Sequence, residues 1–392
     1  MRQTIIATAF MFALGIALLN PSRALALDDA HWQQADVAIE RGIAYLRTTQ
    51  NEDGSWSPEV GPAITAMAVR AMLQRPNIGP DDPAVAKAVT YILSMRKPDG
   101  GIYDRFLANY NTSICLSALA MVNSRPGVAE AIADGQRFLV SLQWQGQKDS
   151  SGRVVDEGHP FYGGAGYGDS KHGRPDMSNT QFMLEALYDT GMSCDDPAFK
   201  RALVYISRCQ GIEQNDMFAK QITPDGGFIY ATTISRDHIG VPQSQASPEQ
   251  VDAADAGRAV SGLRTYGSMT YAGFKSYIYA DLDRNDPRVK QAADWIRRHY
   301  TIERNPGMPE AMEKQGLYYY YITFARAMDA WGVTTVAAAD GQSHDWANDL
   351  IGQLASLQRD DGSWLNEADR WYESNPDLVT GYALLALSAA VH

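Results

Sequence analysis

Residues 41–56, RGIAYLRTTQNEDGSW, hold a helix, its polar stop and an aromatic side chain set just beyond it. Ile43, Leu46 and the stem of Arg47 recur at helical spacing, while Asn51, Asp53 and Gly54 supply the turn chemistry that ends a helix. Trp56 follows the turn. A ring held there covers the open end of the helix, and the Gln50 amide can reach backbone groups that helix geometry leaves unpaired. The stretch reads as a staple between neighbouring helices.

Variations on it run through the chain. Tyr45-Leu46 aligns with Tyr91-Ile92, Phe138-Leu139, Tyr205-Ile206, Trp295-Ile296 and, more loosely, Gln353-Leu354, which makes six copies. Most copies close on a glycine-aromatic turn: Gly54-Ser55-Trp56, Gly101-Ile102-Tyr103, Gly166-Tyr167, Gly227-Phe228 and Gly362-Ser363-Trp364. The fifth runs instead into His299-Tyr300 and Pro306-Gly307. After each turn a second helix is expected, starting near Pro62, Asn111, Ser178, Ser268, Gly316 and Pro376. These second helices are apolar nearly all round, as helices buried on both sides are, whereas the first set carries charge on one face. An open stack of such pairs needs polar capping repeats, yet the last copy is among the most regular and ends on the apolar ALLALSAA of residues 383–390. The expected fold is therefore all-α, a closed (α/α)6 toroid. The N-termini of its inner helices surround one end of a central cavity.

Upstream of the repeats, Arg2, an apolar run from Ile5 to Leu19 and Ala24-Leu25-Ala26 have the form of a secretory signal peptide cleaved after Ala26. The expectation is a secreted or periplasmic protein with a single toroid domain over 27–392, enlarged by insertions near 145–165 and 210–266. No other stretch is apolar enough to span a membrane. Lys and Arg number 34 against 46 Asp and Glu, a net charge of −12, and a surface that acidic argues against nucleic acid and anionic lipid as partners. Three cysteines, Cys115, Cys194 and Cys209, are too few for a disulfide framework. If one helix runs from Pro197 to Cys209 its ends lie roughly 18 Å apart, too far for a Cys194–Cys209 bridge. Free, mostly buried thiols are expected.

The first copy, from Arg41 to Trp56, resembles the QW motif of squalene-hopene cyclases and their relatives, basic-Gly-x2-aromatic-aliphatic-x3-Gln-x3-Gly-x-Trp, at every position. The sixth keeps Leu354, Gln358, Gly362 and Trp364. Together the copies resemble the terpenoid cyclase and protein prenyltransferase toroid superfamily. Within it, RTYGSMTYAG, NPGM, GLYYYY and DGSWLNEADRW are similar to exported bacterial proteins with prenyltransferase and squalene-oxidase repeats.

The resemblance implies where chemistry should lie. Squalene cyclases protonate an alkene with an aspartic acid in Asp-x-Asp-Asp-Thr-Ala at the start of an inner helix. Here Asp176 and Thr180 match, but Ser178 and Asn179 replace the second and third aspartates. A lone carboxyl is not the strong, paired acid that an isolated double bond requires, and Asp176 with Ser178 and Gln181 also suits a helix cap. The Asp-x-Cys and His zinc ligands of prenyltransferases are missing, since Cys115 has no aspartate two residues before it. His159 and His172 lie 13 apart in a loop without ligand spacing, so neither metal nor cofactor is expected. What remains is an aromatic cavity. Tyr318, Tyr319, Tyr320 and Tyr321 cover every face of one inner-helix turn, and Tyr271 sits on a neighbouring helix. Such rings stabilise cations, stack on sugars, hold lipid tails or simply fill a core. Asp377 is a second inner-helix carboxyl, fit for catalysis or capping, and Glu367, Asp369, Arg370 and Trp371 are expected at the rim. The expectation is a cavity for an apolar or amphipathic, isoprenoid-like small molecule, with Asp176 and Asp377 as candidate acids and Thr180, Tyr271, Tyr318–Tyr321 and Trp371 as its wall. A glycan lyase or hydrolase, needing two opposed acids or a Tyr and His pair, and a non-catalytic scaffold stay open as alternatives.

Overall fold

The computed structural model describes residues 27–168, 173–235 and 238–392. The proposed signal peptide and His172 lie outside them.

An outer ring holds α1 (Asp29–Thr49), α3 (Pro83–Ser94), α5 (Val128–Leu142), α7 (Pro197–Arg208), α10 (Pro287–Arg298) and α12 (Trp346–Leu357). An inner ring holds α2 (Ala63–Leu73), α4 (Ala108–Leu119), α6 (Met177–Asp189), α9 (Gly267–Tyr279), α11 (Leu317–Trp331) and α13 (Pro376–Val391). Each inner helix packs on the next, and α13 returns to pack on α2, so the ring closes. The outer helices α3, α7 and α10 start by a shared local device: Asp82, Asp196 and Asp286 each accept backbone N–H groups while the following proline fills the first helical position. A short α8 (Glu249–Asp255) lies in the second insertion, and a small hairpin pairs β1 (Thr335–Ala337) with β2 (Ser343–Asp345) before α12.

The staple of the first copy is built as its residues imply. Trp56 Nε1 donates to the Leu46 carbonyl at 2.8 Å, and Gln50 Nε2 donates to Gly54 O and, at 2.9 Å, to Ala84 O on the next outer helix. Gln143, Gln210 and Gln358 repeat that bridge to Ala198, Arg288 and Ala38, the last joining the end of the chain to its beginning. Replacing Gln50 by alanine removes two bonds to backbone carbonyls, one of them on the neighbouring outer helix. The expected cost is about 1–3 kcal/mol, read as a lower midpoint of urea unfolding.

One register needs correction. The backbone N–H groups of Trp56, Ile102, Ala165, Phe228 and Trp364 are held by the hydroxyls of Thr65, Thr112, Thr180, Thr270 and Thr380, one on each of five inner helices. In copies two and three the residue equivalent to Trp56 is thus Ile102 and Ala165, rather than Tyr103 and Tyr167. The tie uses backbone, so any side chain satisfies it. The glycine two residues earlier is more constrained: Gly163 has φ +82°, and a Cβ there would lie 1.8 Å from Arg201 O.

The expected start of α4 at Asn111 is also displaced. The helix begins at Ala108, and Asn111 points sideways, its Oδ1 capping the N-terminus of α2 through Ala63 N–H at 2.9 Å. Cys115 and Cys209 are buried and Cys194 partly so, all three as free thiols. No described helix is long and apolar enough to cross a membrane.

Towards the C-terminal ends of the inner helices the axis is closed by buried charge. Glu185 of α6 pairs with Lys275 of α9, Arg70 of α2 at 3.1 Å and Arg326 of α11 at 3.2 Å, and Arg70 also holds Asp189 at 3.0 Å. Burial presses the Glu185 carboxyl up, but Lys275, Arg326 and Arg70 together hold it well below the usual carboxylate range. The cations sit where helix dipoles favour positive charge.

Candidate functional site

At the other end, the first turns of all six inner helices surround a cavity of about 330 Å³. Ile64, Tyr110, Phe182, Met269, Tyr319 and Tyr382 reach it from α2, α4, α6, α9, α11 and α13 respectively. Loops complete it: Tyr167 follows the first insertion, Tyr230, Gln245 and Tyr266 come from or border the second, and Trp371 and Tyr372 precede α13. Nine of the lining side chains are aromatic, so the site presents ring faces and edges to a ligand far more than it presents charge.

The hydroxyls near the inner end are paired across the ring. Tyr110 and Tyr382 oxygens are 2.9 Å apart, and Ser178 Oγ lies 3.1 Å from Tyr319 OH. Phe182 stands edge-on to Tyr110 at 5.3 Å and is tilted to Tyr319 at 5.9 Å. Of the residues expected on the wall, Tyr319 and Trp371 are there. Thr180, Tyr271, Tyr318, Tyr320 and Tyr321 are not. Thr180 is fully buried in the turn tie described above. Successive helical residues are about 100° apart, so one tyrosine of four faces the axis. Tyr320 and Tyr321 instead donate to the Thr301 and Ile302 carbonyls, Tyr318 stands edge-on to Tyr321, and Tyr271 packs against Tyr320 and Phe324.

The two expected acids part company. Asp377 does not line the cavity; its carboxylate accepts from Tyr45, Thr49 and Ser57, tying α13 to the first copy. Asp176 is 1% exposed and caps α6, accepting Asn179 N–H at 2.8 Å and the Asn179 amide at 2.9 Å. It sits behind the wall, close to Tyr230. Burial raises its carboxyl to about 6, against the lowering by Asn179, Arg174 and Tyr230. The position that the resemblance equates with the second aspartate is occupied by Ser178, whose side chain does line the cavity.

A third acid, missed in the sequence, reaches the cavity itself. Glu373 is 1% exposed, and its carboxylate accepts the N–H groups of Tyr319 at 2.8 Å and Tyr318 at 3.3 Å, with Asn366 Nδ2 at 2.6 Å. It caps α11 from the following repeat. Burial raises it to about 7 despite Asn366 and the backbone donors. A raised folded value favours the protonated form, so this contribution to stability is full below the ordinary 4.5 and is lost as pH rises through about 7. Relative to Glu373→Gln, the wild type should lose about 1–3 kcal/mol between those limits. Urea midpoints of both proteins at the two ends of that interval give the comparison.

The cavity mouth holds unusual backbone. Trp371 and Tyr372 have φ of 59° and 67°, and Leu107 has φ of 55°. Consecutive bulky residues in that region persist where surrounding contacts over-determine them. Here Gly316 makes room for the Trp371 ring, Arg370 stacks on it at 4.7 Å, and Tyr372 bonds Glu59. The expected rim residues Trp371 and Arg370 thus meet; Trp371 is 44% exposed. In the first insertion His159 is fully buried, with Nε2 3.1 Å from Asp149 and Nδ1 accepting Phe161 N–H, so both ring nitrogens serve the loop.

No family model matches the chain. A drimenyl diphosphate synthase of Streptomyces showdoensis is 38% identical over 72 residues, which cover 17% of this chain and 13% of that protein. A probable squalene-hopene cyclase of Sinorhizobium fredii is 37% identical over 70 residues, 17% of this chain and 11% of the relative. Both matches therefore span only a small part of the relatives' length. Among solved structures, a type II terpene cyclase from Scytonema in complex with the product merosterolic acid A superposes with a TM-score of 0.50 at 14% identity, over 93% of this chain and 99% of that one. A D-mannose isomerase superposes with a TM-score of 0.54 at 12% identity, over 91% and 96%. At these identities the structural likeness concerns the fold.

Proposed function

We propose that this toroid of the terpenoid-cyclase-like superfamily is an exported protein that holds an apolar, isoprenoid-like molecule in its aromatic cavity. The observation that carries the reading is the composition of the wall: nine aromatic side chains with Val60, Ile64, Leu107, Met269 and Leu378, gathered from all six copies at the inner-helix N-termini. A concave apolar site with a few placed polar groups is the usual form of a small-molecule pocket. The toroid of a terpene cyclase holding merosterolic acid A supports the choice of ligand class. The D-mannose isomerase fold does not redirect it, because no described histidine and no opposed pair of acids lines this cavity.

Binding, rather than alkene protonation, is the reading the acids favour. Asp176 and Glu373 rise to about 6 and about 7, and both accept helix N–H groups. Carboxyls that weak do not protonate an isolated double bond. The test is mass spectrometry of small molecules extracted from protein purified out of its exported compartment, beside an Asp176→Asn variant. The same apolar molecule on both supports binding without turnover at Asp176. A different molecule on the variant argues for turnover, and a sugar, or nothing on either, overturns the reading.

A further inference from the structure

The cavity's size, charge and hydroxyls narrow the ligand further. At the roughly 30 Å³ that each small unit occupies in a liquid, the cavity of about 330 Å³ takes ~11 non-hydrogen atoms, and packing as dense as a protein interior raises that to ~15. A thirty-carbon chain such as squalene exceeds that space and would have to project from the mouth. Among the described lining residues the charged type is represented by Glu373 alone, and Asp176 lies just behind Tyr230. Two carboxyls disfavour a diphosphate or a fatty-acid head inside the cavity. A cation gains little, since both Glu373 oxygens are already engaged by Tyr318, Tyr319 and Asn366.

Two hydroxyl pairs supply the polar recognition. Ser178 with Tyr319, and Tyr110 with Tyr382, each bring two hydroxyl hydrogens to a single mutual bond. Gln181 Nε2 adds a donor to Tyr319, not an acceptor. A hydrogen is therefore left over in each pair, facing an apolar wall where an unmet donor is costly. Phe182 and Tyr382 also line the small void beside Arg70, Glu185 and Lys275, so these hydroxyls mark the inner end of the cavity.

We infer that the ligand is a neutral, singly oxygenated isoprenoid of about ten to fifteen carbons, its oxygen at the inner end accepting from the Ser178–Tyr319 and Tyr110–Tyr382 hydroxyls and its hydrocarbon running to the mouth. This rests on the isoprenoid reading of the cavity. The test is titration calorimetry of the full chain with geraniol, farnesol, farnesene, squalene and farnesyl diphosphate. Farnesol is expected to bind about tenfold tighter than the hydrocarbon farnesene, with squalene and the diphosphate at least about tenfold weaker than farnesol. In a Ser178→Ala, Tyr319→Phe variant the farnesol–farnesene gap should shrink several-fold. Equal affinities for farnesol and farnesene in the wild type, or squalene or diphosphate binding as tightly as farnesol, overturn this inference and leave the isoprenoid reading standing. No binding by any of the five overturns both. The wild-type series decides the size and charge whether or not the variant folds, and a folded variant with an unchanged gap overturns the placement of the oxygen.

Discussion

Replacing Glu185 by alanine is expected to cost the fold about 3–5 kcal/mol, because it leaves Lys275, Arg70 and Arg326 buried around a missing partner. The loss is larger than the pairing itself is worth. Burying charge is costly, and one carboxylate meets three cations that are drawn from three other inner helices, so its removal unbalances the end of the ring at once. Asp189 still partners Arg70 and Arg326, which leaves Lys275, 2% exposed, as the stranded charge. A companion Glu185→Ala, Lys275→Met change should recover much of the stability, since a matched apolar replacement of a buried pair is often neutral. Thermal unfolding of the two variants measures this. The sign of the pH effect is opposite to that of Glu373. The folded Glu185 carboxyl is depressed below the ordinary 4.5, so its contribution is present above that value and is lost as strongly acidic pH protonates it in the fold.

Filling the cavity is expected to abolish ligand binding. Met269 lines it from α9, and a Met269→Trp side chain would take up much of the space of about 330 Å³. Affinity for an isoprenoid alcohol should fall at least ~100-fold, while the cost of crowding to stability stays within about 1–3 kcal/mol because the added ring has a void to enter. Calorimetric titration and a thermal melt of the same sample separate the two effects. Unchanged affinity would place the ligand elsewhere.

The fold was legible in residues 41–56 because the staple is encoded locally: Gln50, Gly54 and Trp56 each have one geometric duty, and the duty recurs at Gln358, Gly362 and Trp364. The register of copies two and three was less legible. There the tie runs from backbone N–H to Thr112 and Thr180, and aromatic residues drew the alignment one or two positions too far. Tyr167, released from any staple, turns out to line the cavity. Thr180 shows the converse, a match to a catalytic motif that performs the same structural task as Thr65, Thr270 and Thr380.

The site was only partly legible. Tyr319 and Trp371 were found as members of aromatic clusters, but helical phase alone could not say which of Tyr318–Tyr321 faces the axis. Glu373 was passed over in favour of Asp377, four residues later. Asp377 had the local signal of a helix first turn, whereas Glu373 caps a helix 54 residues away in sequence, a partnership that exists in three dimensions only. The extractable signal was the pair Trp371-Tyr372 before it. Two bulky residues and an acid crowded between a rim and an inner helix mark a loop whose backbone is forced into place.

A crystal structure of the protein soaked with farnesol decides whether the aromatic cavity is the binding site. Density is expected between Phe182, Tyr266, Tyr319 and Tyr382, with the oxygen towards the Ser178 and Tyr110 hydroxyls. Density at another place on the molecule, or a cavity closed by its own tyrosines with none of the alcohol inside, would contradict that placement.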